Sequence, residues 1–309
     1  MAARSSHVSK PNSVIRLPHY HWRFTKQLLI RSLIYHLHMT PSAEYLVTMT
    51  ASIHPRVATK SFRSDPKVRL DDYKQGLRFW LAHPHPKLKQ ILFLENTGFD
   101  LSELQTVAQN ENPFGKAVEF ISMDRNLIPE GRHYGYGEMQ MLDEGLPKCG
   151  LRQVTTHMIK ATGRLTFLNV GKLMDKLPGQ FDVMVECRLP SNAFKYSKNW
   201  AKVIRNRVGA YVSCQLMIFS HSFYEDHLQK LYFNLNPGGP GTYPNLIENL
   251  LYDRIIEFEG RPGIYLRWPL NIEPVGYAGH WQKRYDDPRR LSIRALRAVT
   301  RVLMPRLWL

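Results

Sequence analysis

Long apolar runs are scarce in this chain of 309 residues. The most apolar candidate, residues 24–39 (FTKQLLIRSLIYHLHM), is broken by Arg31, His36 and His38 and is shorter than the roughly 20 residues a bilayer span needs. Residues 1–18 are polar and basic, without the apolar core and small-residue cleavage site of a secretory signal; an acid-free, Arg-containing start leaves an organellar transit peptide as the alternative. Cysteine is nearly absent too. Cys149, Cys187 and Cys214 form neither a pairing framework nor a zinc spacing, which fits a reducing compartment. There is no P-loop, no G-x-S-x-G and no H-E-x-x-H, so the commonest NTPase, hydrolase and zinc-protease readings fall away. Gly135-Tyr136-Gly137 lacks a third glycine, because Gln140 stands in its place, and this argues against a dinucleotide oxidoreductase. His83-Pro84-His85-Pro86 reads as a rigid connector rather than a metal site. No internal repeat or low-complexity tract is present.

Acidic residues are missing where the basic ones gather. The net charge is +16, yet residues 1–40 carry six Lys/Arg and no acid, and residues 280–309 carry eight against Asp286 and Asp287. The 239 residues between hold only +4. A nucleic-acid reader carries its charge on the folded recognition face, whereas basic ends suit an anionic membrane surface.

What remains is an α/β pattern. Strands are predicted over 45–51, 91–94, 118–122, 157–161, 181–186 and 212–219. Helices are predicted over 24–39, 70–82, from Asp100 or Ser102 through Val107, and over 138–145, 223–233 and 245–256. The alternation predicts one domain with a mostly parallel central sheet flanked by helices, over residues 41–279. A basic extension and helix precede it (1–40), and a basic amphipathic helix follows (280–309). In that tail Arg290, Arg294, Arg297 and Arg301 stack on one stripe, while Ile293, Leu296, Val299 and Leu303 occupy the other side. Pro305 ends the helix and Trp308 is a candidate interfacial anchor. The stripe of arginines is expected to meet anionic lipid.

The stretch 132–170 holds the candidate chemistry. Gly135 and Gly137 allow close backbone approach to a ligand, and Lys160 and Arg164 bracket the turn Thr162-Gly163 at a strand end, an arrangement that suits a phosphorylated ligand. An ordinary glycine loop beside a structural arginine is the alternative. Acids at or near predicted strand ends are Asp124, Glu138, Asp182, Glu186, Glu225 and Asp226. Any of them is a candidate base, although strand-end acids commonly cap helices or pair with arginines, and Glu138 in a first helical turn is stabilised by the helix dipole alone.

Taken together, Leu94-Glu95-Asn96-Thr97-Gly98, Tyr134-Gly135-Tyr136-Gly137-Glu138 and Ile159-Lys160-Ala161-Thr162-Gly163-Arg164-Leu165 resemble a group of bacterial proteins from surface-polysaccharide gene clusters, over roughly residues 45–260. Those proteins are regarded as glycosyltransferases with a GT-A type nucleotide-sugar-binding fold. The resemblance implies a GT-A-like domain, a nucleotide diphosphate sugar as donor, and a polysaccharide or lipid-linked glycan as acceptor. It implies work on the cytoplasmic face of the cell membrane by a peripherally bound enzyme, with no nucleic acid as partner. The substrate-binding set is then Thr50, Arg56, Glu95, Asn96, Asp124, Tyr134, Gly135, Gly137, Glu138, Lys160, Thr162, Gly163 and Arg164. Many GT-A enzymes place an acidic D-x-D, which holds a divalent metal, where this chain has 159–164, and no D-x-D occurs anywhere here. Either Lys160 and Arg164 supply the charge directly without a metal, or a metal is held elsewhere, or activity has been lost. No catalytic base is carried over; Asp182, Glu186, Glu225 and Asp226 are the candidates. A non-catalytic membrane-associated protein that binds nucleotide sugar or glycan, and a nucleic-acid-binding protein suggested by the pI of about 9.8, are the rival expectations.

Overall fold

A computed structural model describes residues 44–56, 63–190, 200–238, 246–279, 284–288, 291–304 and 307–308. The expectations for residues 1–40, for Arg290 and for Pro305 lie outside them.

The centre of the sheet is built from largely apolar strands buried on both faces, as parallel strands covered by helices must be, while its edge strands are partly exposed. Strand β1 (Tyr45–Ala51) is buried along its whole length. It pairs in parallel with β2 (Gln90–Glu95) on one side and β4 (His157–Thr162) on the other, and β3 (Ala117–Ser122) extends the sheet beyond β2. Past β4 lies β8 (Leu216–Ser220), which runs antiparallel to both β4 and β5 (Val183–Met184); β9 (Ile264–Tyr265) closes the edge parallel to β5. The order of the seven strands is β3-β2-β1-β4-β8-β5-β9. The protein is therefore α/β, with a mostly parallel central sheet between helices.

Alternation along β1 divides the core. Tyr45, Val47 and Met49 point to the layer that contains α1 (Pro66–Leu81) and α2 (Ser102–Asn110). Leu46 points to the other layer, with α3 (Gly135–Gly145) and the later helices. Asp65 caps α1 by accepting from the Lys67 amide at 2.8 Å, with Pro66 at its first position, where no amide is needed. The buried face of α1 runs Leu70, Tyr73, Leu77, Trp80 and Leu81, but Arg69 also lies on it.

Three predicted elements are divided. Residues 212–219 are not one strand: Tyr211–Val212 (β7) pairs with Cys187–Arg188 (β6) in a separate two-stranded sheet, and only Leu216–Ser220 joins the main one. Residues 181–186 shorten to β5, because the chain leaves the sheet for β6. Residues 223–233 are a chain of short turns, not one helix: His221–Phe223, a π turn Tyr224–Leu228, then a 3-10 turn Leu231–Asn234 after Lys230 at φ 62°. The remaining helices are α4 (Val170–Lys176), α5 (Trp200–Asn206), α6 (Ile247–Ile256) and α7 (Leu291–Leu303).

Candidate functional site

In a parallel sheet the loops leaving neighbouring strands diverge where the strand order reverses, and this opens a crevice at the carboxyl edge. Here the chain turns from β1 towards β2 and β3, then returns to place β4 on the other flank. The crevice between β1 and β4 encloses about 240 Å³. Its lining includes Thr50 and Ser52 at the end of β1, Asn96 after β2, Asn126 after β3, and Thr162 and Arg164 at the end of β4. Tyr134 just before α3 and Glu138 within it, Arg69 and Tyr73 of α1, Glu248 of α6, Cys214, Gln215 and Tyr285 also line it.

The floor is an ion pair. Lys160 is wholly buried; its Nζ lies 2.6 Å from Glu138 Oε1 and donates to the Cys214 carbonyl at 2.6 Å. Glu138 Oε1 also accepts from Thr50 Oγ1 at 2.8 Å. Burial pushes the Glu138 carboxyl up, but the Lys160 charge and the two hydrogen bonds outweigh it and hold the group below its ordinary value. The Lys160 charge is thus balanced within the protein, a departure from the expectation that it faces a diphosphate.

The cations that remain are guanidiniums. Arg69 donates from Nε to the Ser52 carbonyl (2.6 Å), from Nη1 to the Arg63 carbonyl and from Nη2 to Tyr73 Oη. Arg164 donates from Nε to the Tyr277 carbonyl at 3.2 Å. Among the described residues no carboxylate makes a hydrogen bond or close ion pair with either arginine, although the Arg164 charge reaches Glu138 and helps to hold its carboxyl down. The segment that carries Tyr277 is itself pinned, because the Arg63 guanidinium stacks 4.0 Å over the Tyr277 ring while bonding Asp72 through Nε and Nη2.

Glu248 is the second carboxylate of the crevice. It stands in the first turn of α6, and its Oε2 is buried with no hydrogen-bond partner among the described residues, His133 Nδ1 being 4.0 Å away. Burial raises its pKa, and the Glu138 charge raises it further. Burial likewise pushes the Tyr134 phenol and the Cys214 thiol well up, so both remain protonated at neutral pH. The polar wall opposite is a relay: Ser52 Oγ donates to Asn96 Oδ1 at 2.6 Å, Asn126 Nδ2 donates to the same oxygen at 3.2 Å, and Asn126 Oδ1 receives the Arg56 amide.

Of the residues singled out in the sequence, Thr50, Asn96, Tyr134, Glu138, Lys160, Thr162 and Arg164 come together here. The glycines have other work. A Cβ on Gly135 would lie 2.2 Å from Ile247 Cγ2, so this residue lets α3 pack on α6, and it sits inside the helix rather than in a loop. Gly163 is sealed under α1: a Cβ on Gly76 would come within 1.9 Å of the Gly163 carbonyl oxygen. Gly137 makes only ordinary contacts beside Asn96. Glu95 is fully buried and structural. It gathers the loops of three strands by accepting from the Ile53, Thr97 and Phe99 amides and from Ser122 Oγ. Arg56 and Asp124 pair with each other at 2.5 Å, both exposed.

None of the four candidate bases lines the crevice. Asp182 precedes β5 at the opposite edge of the sheet, where it accepts from Ser220 Oγ. Glu225 pairs with Arg152, and Asp226 lines a separate hollow with His227 and Lys230. Glu186 is buried and bonded to Arg301 Nη2 at 2.5 Å and to the Trp268 amide. The sequence reading missed Glu248, Arg69, Tyr73, Ser52, Asn126, Gln215, Cys214 and Tyr285. Arg69 had a legible signal, an arginine within the apolar stripe of α1; Glu248 had none, since a first-turn glutamate is ordinary.

The residues at the position of a D-x-D do not fit a divalent cation. Thr162, Gly163 and Arg164 present a guanidinium where carboxylates would be needed. Among the described residues no group of three or more His, Cys, Asp or Glu side chains is placed to hold a metal. Neither a family model nor a curated protein matches this sequence.

Proposed function

We propose that the crevice binds the nucleoside diphosphate part of a sugar nucleotide and that the chain is a glycosyltransferase of GT-A-like fold, acting on a polysaccharide or lipid-linked glycan. The observation that carries this reading is the pair Arg69 and Arg164, two guanidiniums at the carboxyl edge of the sheet that make no hydrogen bond or ion pair to a carboxylate among the described residues, above Glu138, whose charge is held mainly by Lys160 and at longer range by Arg164. A site of that charge favours an anionic ligand. The convergence of three sequence motifs, separated along the chain, on this one crevice supports the same reading, as does its place at the switch point.

In this reading the acceptor hydroxyl gives its proton to Glu248 as its oxygen forms the bond to the anomeric carbon. The bond from that carbon to the diphosphate oxygen breaks, and its electron pair leaves with the nucleoside diphosphate. Charge grows on the leaving oxygen in the transition state, so fixed guanidiniums act on the barrier more than on ground-state binding. A carboxylate with a raised pKa is the stronger base for the first part.

Equilibrium binding of a panel of sugar nucleotides, followed by turnover with lipid-linked acceptors, tests the proposal. Arg164→Ala is expected to weaken donor binding about 10- to 100-fold, the equivalent of one lost charge-assisted hydrogen bond. If no sugar nucleotide binds, the proposal is wrong; binding without turnover would leave a non-catalytic sugar-nucleotide protein.

A further inference from the structure

Helix α7 is mounted with its charged side inward. Arg294 Nη2 donates to the Tyr285 carbonyl at 2.9 Å and the Pro274 carbonyl at 3.4 Å. Arg297 Nη1 bonds Glu273 Oε1 at 2.8 Å, and Arg301 bonds Glu186 and the Trp268 carbonyl. The other stripe faces solvent. Ile293, Leu296, Val299, Val302, Leu303 and Met304 are each about half exposed or more, and Val302 and Leu303 reach 78% and 73%. The spacing of three, three, three, one and one makes a single continuous apolar ridge. The expectation that these arginines meet lipid is therefore overturned for Arg294, Arg297 and Arg301. Trp308 is no anchor either: it is buried, with the Arg207 guanidinium 3.9 Å over its ring.

An exposed apolar ridge of this length calls for a partner. The sequence brackets it with basic residues, Arg289 and Arg290 before and Arg306 after, in a tail with eight Lys/Arg against two acids. An anionic lipid surface offers an acyl layer for the ridge and headgroup charge for its ends. A second copy of the chain would instead bring a second +16 against the first. We propose that α7 lies in the interface of an anionic bilayer, with the apolar ridge in the acyl region and its arginines gripping the protein. Arg294 holds Tyr285, a residue of the crevice wall, so the lipid-embedded helix is joined directly to the site. The ridge needs no sugar chemistry; that the acceptor is lipid-linked rests on the proposed transfer.

The test is flotation of the full chain with vesicles of phosphatidylcholine mixed with phosphatidylglycerol, and of phosphatidylcholine alone, at low and high salt. The chain is expected to float with the mixed vesicles, and salt is expected to weaken this without abolishing it. Val302→Glu with Leu303→Glu should reduce partitioning at least about tenfold. Leu296→Ser with Val299→Ser, which adds no charge, should give a smaller loss, with circular dichroism and thermal unfolding unchanged in both variants. Three outcomes overturn the proposal: no flotation, flotation fully lost in salt, or flotation indifferent to both variants. A dimer dissolved by Val302→Glu with Leu303→Glu, without flotation of the parent chain, assigns the ridge to a second copy instead. Sugar-nucleotide binding by the same preparations is read separately, so failure of the donor site leaves the flotation result standing.

Discussion

Lys160 Nζ and Glu138 Oε1 lie 2.6 Å apart beneath the crevice, joining the centre of the sheet to the first turn of α3. The pair is the floor on which the other side chains stand. Breaking it by removing one partner strands the other charge. Lys160→Met is expected to cost about 3 kcal/mol in urea unfolding, and the double variant Lys160→Met with Glu138→Leu to recover most of that. A single-variant loss below about 1 kcal/mol would show the pair to be well solvated. The sign with pH follows from the depressed pKa of Glu138: its contribution is complete above the unfolded value and is lost as pH falls through the folded one. The acid slope of stability should therefore be shallower in Glu138→Gln.

Glu248 makes the opposite prediction. Its pKa is raised, so the carboxylate needed as base forms only above the ordinary glutamate range. Turnover should rise with pH through that raised value and level off. Glu248→Gln is expected to lower kcat about 100- to 10,000-fold and to remove this limb from the profile, with donor binding little changed. A variant that keeps the limb would assign the base elsewhere.

Gly76 tests whether packing sets the position of Arg164. A methyl group here would meet the Gly163 carbonyl oxygen at 1.9 Å, and backbone on both sides leaves no flexible side chain to yield. Gly76→Ala is expected to cost about 1–3 kcal/mol as overpacking and to weaken sugar-nucleotide binding by moving the turn that carries Arg164. Gly179→Ala is the control, since nothing lies within 4 Å of its added Cβ. Equal effects of the two substitutions would dismiss the mechanism.

How far these features were legible depends on where the deciding contact sits. Strands β1 and β2 announce themselves because parallel strands buried on both faces need apolar runs, and β4 and the half-buried edge strand β3 keep enough of that pattern to be read with them. The run 212–219 reads the same way, yet it is divided by partners distant in sequence: the Ser213 amide bonds the Glu186 carbonyl and Lys160 takes the Cys214 carbonyl. Gly135 and Gly163 look like ligand glycines for the same reason, since what fills the space beside them, Ile247 and α1, is invisible locally. Periodicity shows that α7 has two faces but not which one turns inward. That was decided by Glu186 and Glu273, acids that no pattern marks as partners for a tail.

Arg301 and Glu186 offer the direct test of that inversion. Glu186 is buried, and among the described residues its carboxylate is bonded to Arg301 and to the Trp268 amide, with the Arg267 charge also acting on it. If α7 docks by its arginines, Arg301→Met takes from a buried carboxylate its bonded counter-charge and leaves only the longer-range Arg267 charge, at a cost of about 3 kcal/mol in urea unfolding. If the arginines were instead solvated, the same substitution on an exposed helix face would change stability by less than about 0.5 kcal/mol. Adding Glu186→Gln to Arg301→Met removes the stranded charge and should restore part of the loss, which a general packing defect would not do. A large, partly rescued loss thus fixes the apolar ridge on the outside by stability alone, before any vesicle is used.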